Sequence, residues 1–134
     1  MGTTMTHLDE LISLVSHPAI QGRRVEWKVG DTFYCHHCKG DLRFIVGRIA
    51  PDYLCCAELD HLQFECTWIP HLSDPIQPER GLWGMINWNR WNMYVFPDRV
   101  CMYDHKKGNN NIEIVGPTPE IAVCKAIVAQ WEEK

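Results

Sequence analysis

The chain has 134 residues, 46% hydrophobic and 22% charged, with a formal net charge of -4. That length suits one domain with a single core, and the balance of apolar and charged residues excludes a charge-driven disordered chain. The acidic balance, with no basic run longer than Arg23-Arg24 or Lys106-Lys107, disfavours nucleic acid as the main partner, because phosphate contacts need a basic face.

The opening predicts a helix over residues 6–16: Thr6 is placed to cap it, and Leu8, Leu11, Ile12 and Val15 recur at helical spacing. His17-Pro18 ends it, since the residue before proline is driven out of the helical region. Over residues 24–35 the pattern changes to period two, with Val25, Trp27 and Val29 on one face, a turn at Gly30-Asp31, and a second arm at Thr32-Phe33-Tyr34. Strands are predicted over 42–49, 53–58 and 62–68, separated by Ala50-Pro51-Asp52 and Leu59-Asp60-His61.

Residues 69–81 carry Pro70, Pro75 and Pro78 and read as an ordered connection, because each proline fixes its own φ and lacks a donor. Further strands are expected over 91–96, 100–103 and 112–115, joined by turns at Pro97-Asp98 and Gly108-Asn109-Asn110-Asn111. A closing helix is signposted by Thr118 as cap, Pro119 at the first helical position and Glu120 in the first turn, with Ile121, Cys124, Val128 and Trp131 as its stripe. The fold class expected from this order is α+β, an antiparallel or mixed sheet of short strands with an N-terminal and a C-terminal helix packed on it, over one domain of residues 1–134.

The strongest chemical signal is Cys35-His36-His37-Cys38 followed by Lys39-Gly40. Two thiolates two residues apart can share one tetrahedral ion, and the glycine permits the tight turn of a zinc knuckle. A second pair of ligands is needed. The available donors are Cys55, Cys56, His61, Cys66 and His71, and the tidiest pairing by spacing is Cys66 with His71. The candidate metal set is therefore Cys35, Cys38, Cys66 and His71, with zinc as the candidate cofactor in a structural role. The competing reading makes the later cysteines packing residues: in a hairpin of 53–58 and 62–68, Leu54, Cys56, Phe64 and Cys66 would share one apolar face. Redox use of the Cys-x-x-Cys pair and a cysteine–histidine nucleophile are weaker readings, because the residues flanking the motif read as strand and turn and no family signature surrounds His36 and His37.

A second signal is the aromatic segment from Leu82 to Phe96. Trp83, Trp88, Arg90 and Trp91 belong to the residue types enriched where proteins grip one another, which makes them candidate partner-binding residues. The alternative is that Trp91, Met93 and Val95 form the inner face of a strand.

The run Val115-Gly116-Pro117-Thr118-Pro119-Glu120-Ile121-Ala122, continuing to Ile127, resembles the ending of small bacteriophage and prophage proteins of unknown function, in which a last strand leads through Gly-x-Thr-Pro-Glu-x-Ala into a closing helix. The segment Trp68-Ile69-Pro70-His71-Leu72-Ser73-Asp74 is similar to a Trp-x-Pro-x-Leu motif of the same phage α-β-α sandwich group. The resemblance spans about a third of the chain, and Pro75 and Pro78 fall where the group has a helix. Together with the size, the acidity and the aromatic segment, it points to a phage or prophage accessory protein, expected in the host cytoplasm, with a protein partner such as a host or defence factor, and it transfers no site residues. No run approaches the ~20 apolar residues of a membrane-spanning helix.

Overall fold

The computed structural model describes residues 7–24, 26–38, 43–56, 59–74, 77–105 and 112–132. Its elements are α+β, as the order of helix, short strands and helix predicts, but the strands form three small antiparallel sheets instead of one.

Helix α1 (His7–Val15) buries Leu11, Ile12 and Val15 on the predicted stripe. Its expected cap, Thr6, lies outside the described residues. His17 does end it, and then opens the short helix α2 (Pro18–Gln21): its Nδ1 accepts from Ala19 N at 3.1 Å, with Pro18 at the first helical position, where a missing N–H costs nothing.

The hairpin expected over 24–35 keeps only its second arm, β1 (Thr32–Cys35). Residues 26–31 are irregular: Val29 is exposed, Gly30 has φ +96°, and the Lys28 N–H is taken by the Asp31 carboxylate. Val25 lies outside the described residues. The single strand expected over 42–49 is two pieces, β2 (Phe44–Ile45) and β3 (Arg48–Ile49), parted at Val46-Gly47. β2 joins β1, whereas β3 pairs with β4 (Tyr53–Cys56), so the chain changes sheets there. Val46 makes this change tolerable: its N–H donates to Asp31 O and its carbonyl accepts from Gly30 N, while Gly47 N donates to Cys55 O.

The turn expected at Leu59-Asp60-His61 is instead strand β5 (Leu59–Leu62), paired with β4. A 3-10 turn over Gln63–Glu65 then leads into β6 (Cys66–Ile69), which pairs with β1. The face proposed for Leu54, Cys56, Phe64 and Cys66 therefore does not exist: Phe64 is 82% exposed on the turn and Cys66 belongs to the neighbouring sheet.

After a 3-10 turn at Pro78–Arg80 and the short helix α3 (Leu82–Met85), strands β7 (Trp91–Val95), β8 (Val100–Asp104) and β9 (Ile112–Gly116) form the three-stranded sheet read from the sequence. Helix α4 (Pro119–Glu132) covers this sheet, its first turn capped by Thr118 Oγ1 accepting from Ile121 N. Helix α4 also packs on α1, α2 and α3, so its buried residues Ile121, Ala122, Val123, Cys124, Ala126 and Ile127 face several directions rather than one stripe.

Among the described residues the apolar interior falls into two clusters. The larger collects α1, α2, α3, α4, β6, β7 and β8 around Trp68, Trp91 and Met102. The smaller holds only Phe33, Cys35, Val46 and Leu54 as fully buried members, with Phe44, Cys56 and Cys66 packed against them, and Trp27 touches both clusters. No helix among the described residues is long and apolar enough to cross a membrane.

Candidate metal centre

The smaller cluster is where the chemistry gathers. In β1, Phe33 and Cys35 are two residues apart and share a face. In the β4–β5 pair, Leu54 stands opposite His61, which turns the His61 ring toward the same space. The ring packs edge-on to Phe33, centroids 5.2 Å apart, and tilts against Phe44 at 4.6 Å. His61 is 3% exposed, and its Nε2 has no hydrogen-bond partner.

Cys35 ends β1 and the chain turns through His36 and His37 to Cys38. That turn brings the Cys38 sulfur to 3.5 Å from His61 Nδ1, and donor atoms of Cys35, Cys38 and His61 all lie within 4.8 Å of one another. These three residues form a group that can hold a metal ion. A thiolate at about 2.3 Å and an imidazole nitrogen at about 2.0 Å from a tetrahedral zinc lie about 3.5 Å apart. The observed sulfur–nitrogen separation already has that value.

Cys66 is directly opposite Cys35 in the antiparallel β1–β6 register, so the two side chains stand side by side on one face. Its thiol is half-buried, and its sulfur reaches the Leu62 carbonyl at 3.3 Å. Burial pushes its pKa up to about 12, with further contributions from the charge of Cys35, a hydrogen bond to Cys35 and the charge of Cys38. The Cys38 thiol is also raised, first by its hydrogen bond with Cys35, and burial lowers the pKa of His61. Burial and the hydrogen bonds around them thus favour the protonated form of the Cys38 and Cys66 thiols and the neutral form of the His61 imidazole, and a metal entering here would release thiol protons.

Of the four donors singled out from the sequence, the structure brings Cys35, Cys38 and Cys66 into one neighbourhood and sends His71 elsewhere. His71 lies beyond β6, its Nε2 3.4 Å from Thr32 Oγ1 and from Gly30 O, at the other end of β1 from Cys35. His61 takes its place. Spacing favoured His71 because it follows Cys66 closely, but a strand carries residues 66–69 away from Cys35 as it runs, whereas β5 lies in a different sheet facing the cluster. The sequence named His61 among the available donors but read its segment as a break between strands, so nothing local paired it with Cys35. The remaining histidines of the motif turn away: His36 Nε2 meets Thr67 Oγ1 at 2.6 Å, and His37 approaches Glu65 at 3.9 Å.

The aromatic segment divides in the same way. Trp83 and Trp88 are 43% and 40% exposed, their rings edge to face at 6.0 Å, with the Trp88 indole N–H donating to Trp83 O. Arg90 and Trp91 are buried, Arg90 against Asp104 and Trp91 in the larger core, so neither is available to an outside partner. The inner-face alternative holds for Trp91, and Met93 packs against the same core, but Val95 is 65% exposed and does not belong to that face.

No protein family, curated protein or solved structure matches the chain.

Proposed function

We propose that this protein is a small binding module whose weaker half is stapled by one structural zinc ion on Cys35, Cys38, His61 and Cys66. The observation that carries this reading is the convergence of Cys35, Cys38 and His61 within 4.8 Å from a strand, a turn and a strand of a second sheet. Cys66 supplies the fourth ligand by a side-chain rotation beside its cross-strand neighbour Cys35. Three thiolates and one imidazole match a closed tetrahedral zinc site, with no position open for substrate.

The physical need for a staple follows from the packing. The β1–β2 and β4–β5 layers meet around four fully buried side chains, a small core for strands of two to four residues. A metal bound across both sheets contributes its binding free energy to folding. Elemental analysis of protein expressed in zinc-supplemented medium, with circular dichroism before and after a chelator, tests this. One zinc per chain and loss of ordered structure on chelation is the expected result; a folded protein with less than about a tenth of an equivalent overturns it.

The exposed Trp83–Trp88 pair favours a second element of the reading, a protein partner of the kind implied by the resemblance to phage accessory proteins. Two adjacent indoles offer large, stiff contact area at small entropic cost. Replacing both by alanine should abolish a captured partner; unchanged capture removes this surface from consideration.

A further inference from the structure

Arg24 and Arg80 share the wall of a cavity of about 210 Å³ between the irregular segment after α2 and the Pro78–Arg80 turn. Arg23 and Lys28 add two more cations, and Glu26, Gln77 and Glu79 complete the lining. Arg80 is fixed in place: it is 6% exposed, its guanidinium lies over the Trp68 ring, and its two terminal nitrogens grip the Asp31 carboxylate at 3.0 and 2.8 Å. Asp31, itself buried, is therefore already committed to Arg80.

Arg24 has no such arrangement. Its guanidinium lies 4.3 Å from the Trp27 ring centre, and no carboxylate among the described residues reaches it at ion-pair distance. The Nε–H groups of both Arg24 and Arg80 are buried without an acceptor. Two guanidinium groups held on one small cavity, one of them without a direct ion pair and both with a buried Nε–H lacking an acceptor, form an arrangement that an oxyanion would relieve, since buried donors are costly when unmatched. Burial pushes the Arg24 pKa down; the charge of Asp31 opposes that fall and the charge of Arg80 adds to it.

A second cavity of about 220 Å³ adjoins the first and shares Lys28, Gln77 and Arg80 with it. Its far side carries Asp31, His71, Ser73 and Asp74, polar groups suited to hydroxyls rather than to a second anion. We propose that the two cavities form one binding site for a small phosphorylated, hydroxylated molecule, the phosphate at Arg24 and the hydroxyl-bearing part beside Ser73 and Asp74. Arginine pairs with phosphate oxygens through parallel N–H donors, and the small volume accommodates a metabolite rather than a nucleic-acid strand.

Titration calorimetry of the purified protein with inorganic phosphate, glucose 6-phosphate and glucose, at matched ionic strength in chloride, tests the site. Glucose 6-phosphate should bind more tightly than either fragment. Arg24→Gln should weaken both phosphate ligands by about tenfold or more, and Asp74→Asn should weaken glucose 6-phosphate while leaving inorganic phosphate unchanged. Lys28→Gln, at a half-buried position on the shared wall, provides the same readout if Arg24→Gln fails to fold. Inorganic phosphate binding that depends on Arg24 with no gain for the sugar phosphate would reduce the site to a phosphate pocket and overturn the hydroxylated ligand. Absence of saturable binding up to about 10 mM, or an affinity unmoved by both cation replacements, would overturn the proposal.

Discussion

Arg90 closes a two-point contact with Asp104, Nε to Oδ1 at 2.9 Å and Nη2 to Oδ2 at 2.7 Å, and the carboxylate is fully buried. The pair fastens the start of β7 to the end of β8, where Trp91 stands opposite Asp104, and His105 N donates back to Arg90 O. Asp104→Asn removes the carboxylate charge that two guanidinium nitrogens of the buried Arg90 grip and should cost about 3–5 kcal/mol. The double change Arg90→Met with Asp104→Leu should cost less than Asp104→Asn alone. Urea unfolding of the three proteins checks the order.

The tryptophans separate by burial. Trp91→Ala, at 1% exposure in the larger core, should lose about 3–5 kcal/mol, whereas Trp83→Ala should lose under about 1 kcal/mol. Equal losses in thermal unfolding would contradict the division between a core ring and a surface ring.

His61 and His71 give opposite expectations for metal. His61→Ala should reduce bound zinc to under about a tenth of an equivalent, while His71→Ala, whose ring contacts Thr32 and Gly30, should keep it. Cobalt substitution offers a second readout: a tetrahedral thiolate spectrum is expected in the His71 variant and lost in the His61 variant.

Cys124 makes stability depend on alkaline pH. Burial, and secondarily the charge of Glu120, raise its pKa from the ordinary 9.0 to about 12. An acid whose folded pKa is raised keeps its proton in the native state after the unfolded chain has lost it. Its stabilising effect is therefore full below pH 9.0 and falls as pH rises toward about 12. Cys124→Ala should flatten the decline by up to about 1.4 kcal/mol per pH unit in that window. Chemical denaturation of both proteins across the window measures the difference.

Gly116 ends β9 where α4 crosses it. A Cβ there would lie 2.7 Å from Ala122 N and 3.0 Å from its Cα, both backbone atoms that cannot swing aside. Gly116→Ala should destabilise by about 1–3 kcal/mol through overpacking, with a lower midpoint in thermal unfolding.

Long, locally consistent signals made part of the fold legible from the residues. Helix α1 carries four apolar residues at helical spacing, helix α4 begins with Thr118 and Pro119, and the strands β7 and β8 flank a Pro97-Asp98 turn. In each, neighbours in sequence make the deciding contacts, so pattern and structure agree. The Cys35–Cys38 pair of the candidate metal centre was legible for the same reason, since Cys35 ends β1 and Cys38 lies on the turn that follows it.

The remaining choices rest on contacts between segments far apart in the chain. Strands β2 and β3 have two residues each, too few for a period, and their separation at Val46-Gly47 depends on hydrogen bonds to Asp31 and Cys55. The choice of His61 over His71 depends on which strand lies across from β1, and the neighbourhood of Cys66 on the β1–β6 register. Such choices are fixed by pairing between distant segments, whose free energy comes from the whole packed interior and leaves no local mark on the residues involved.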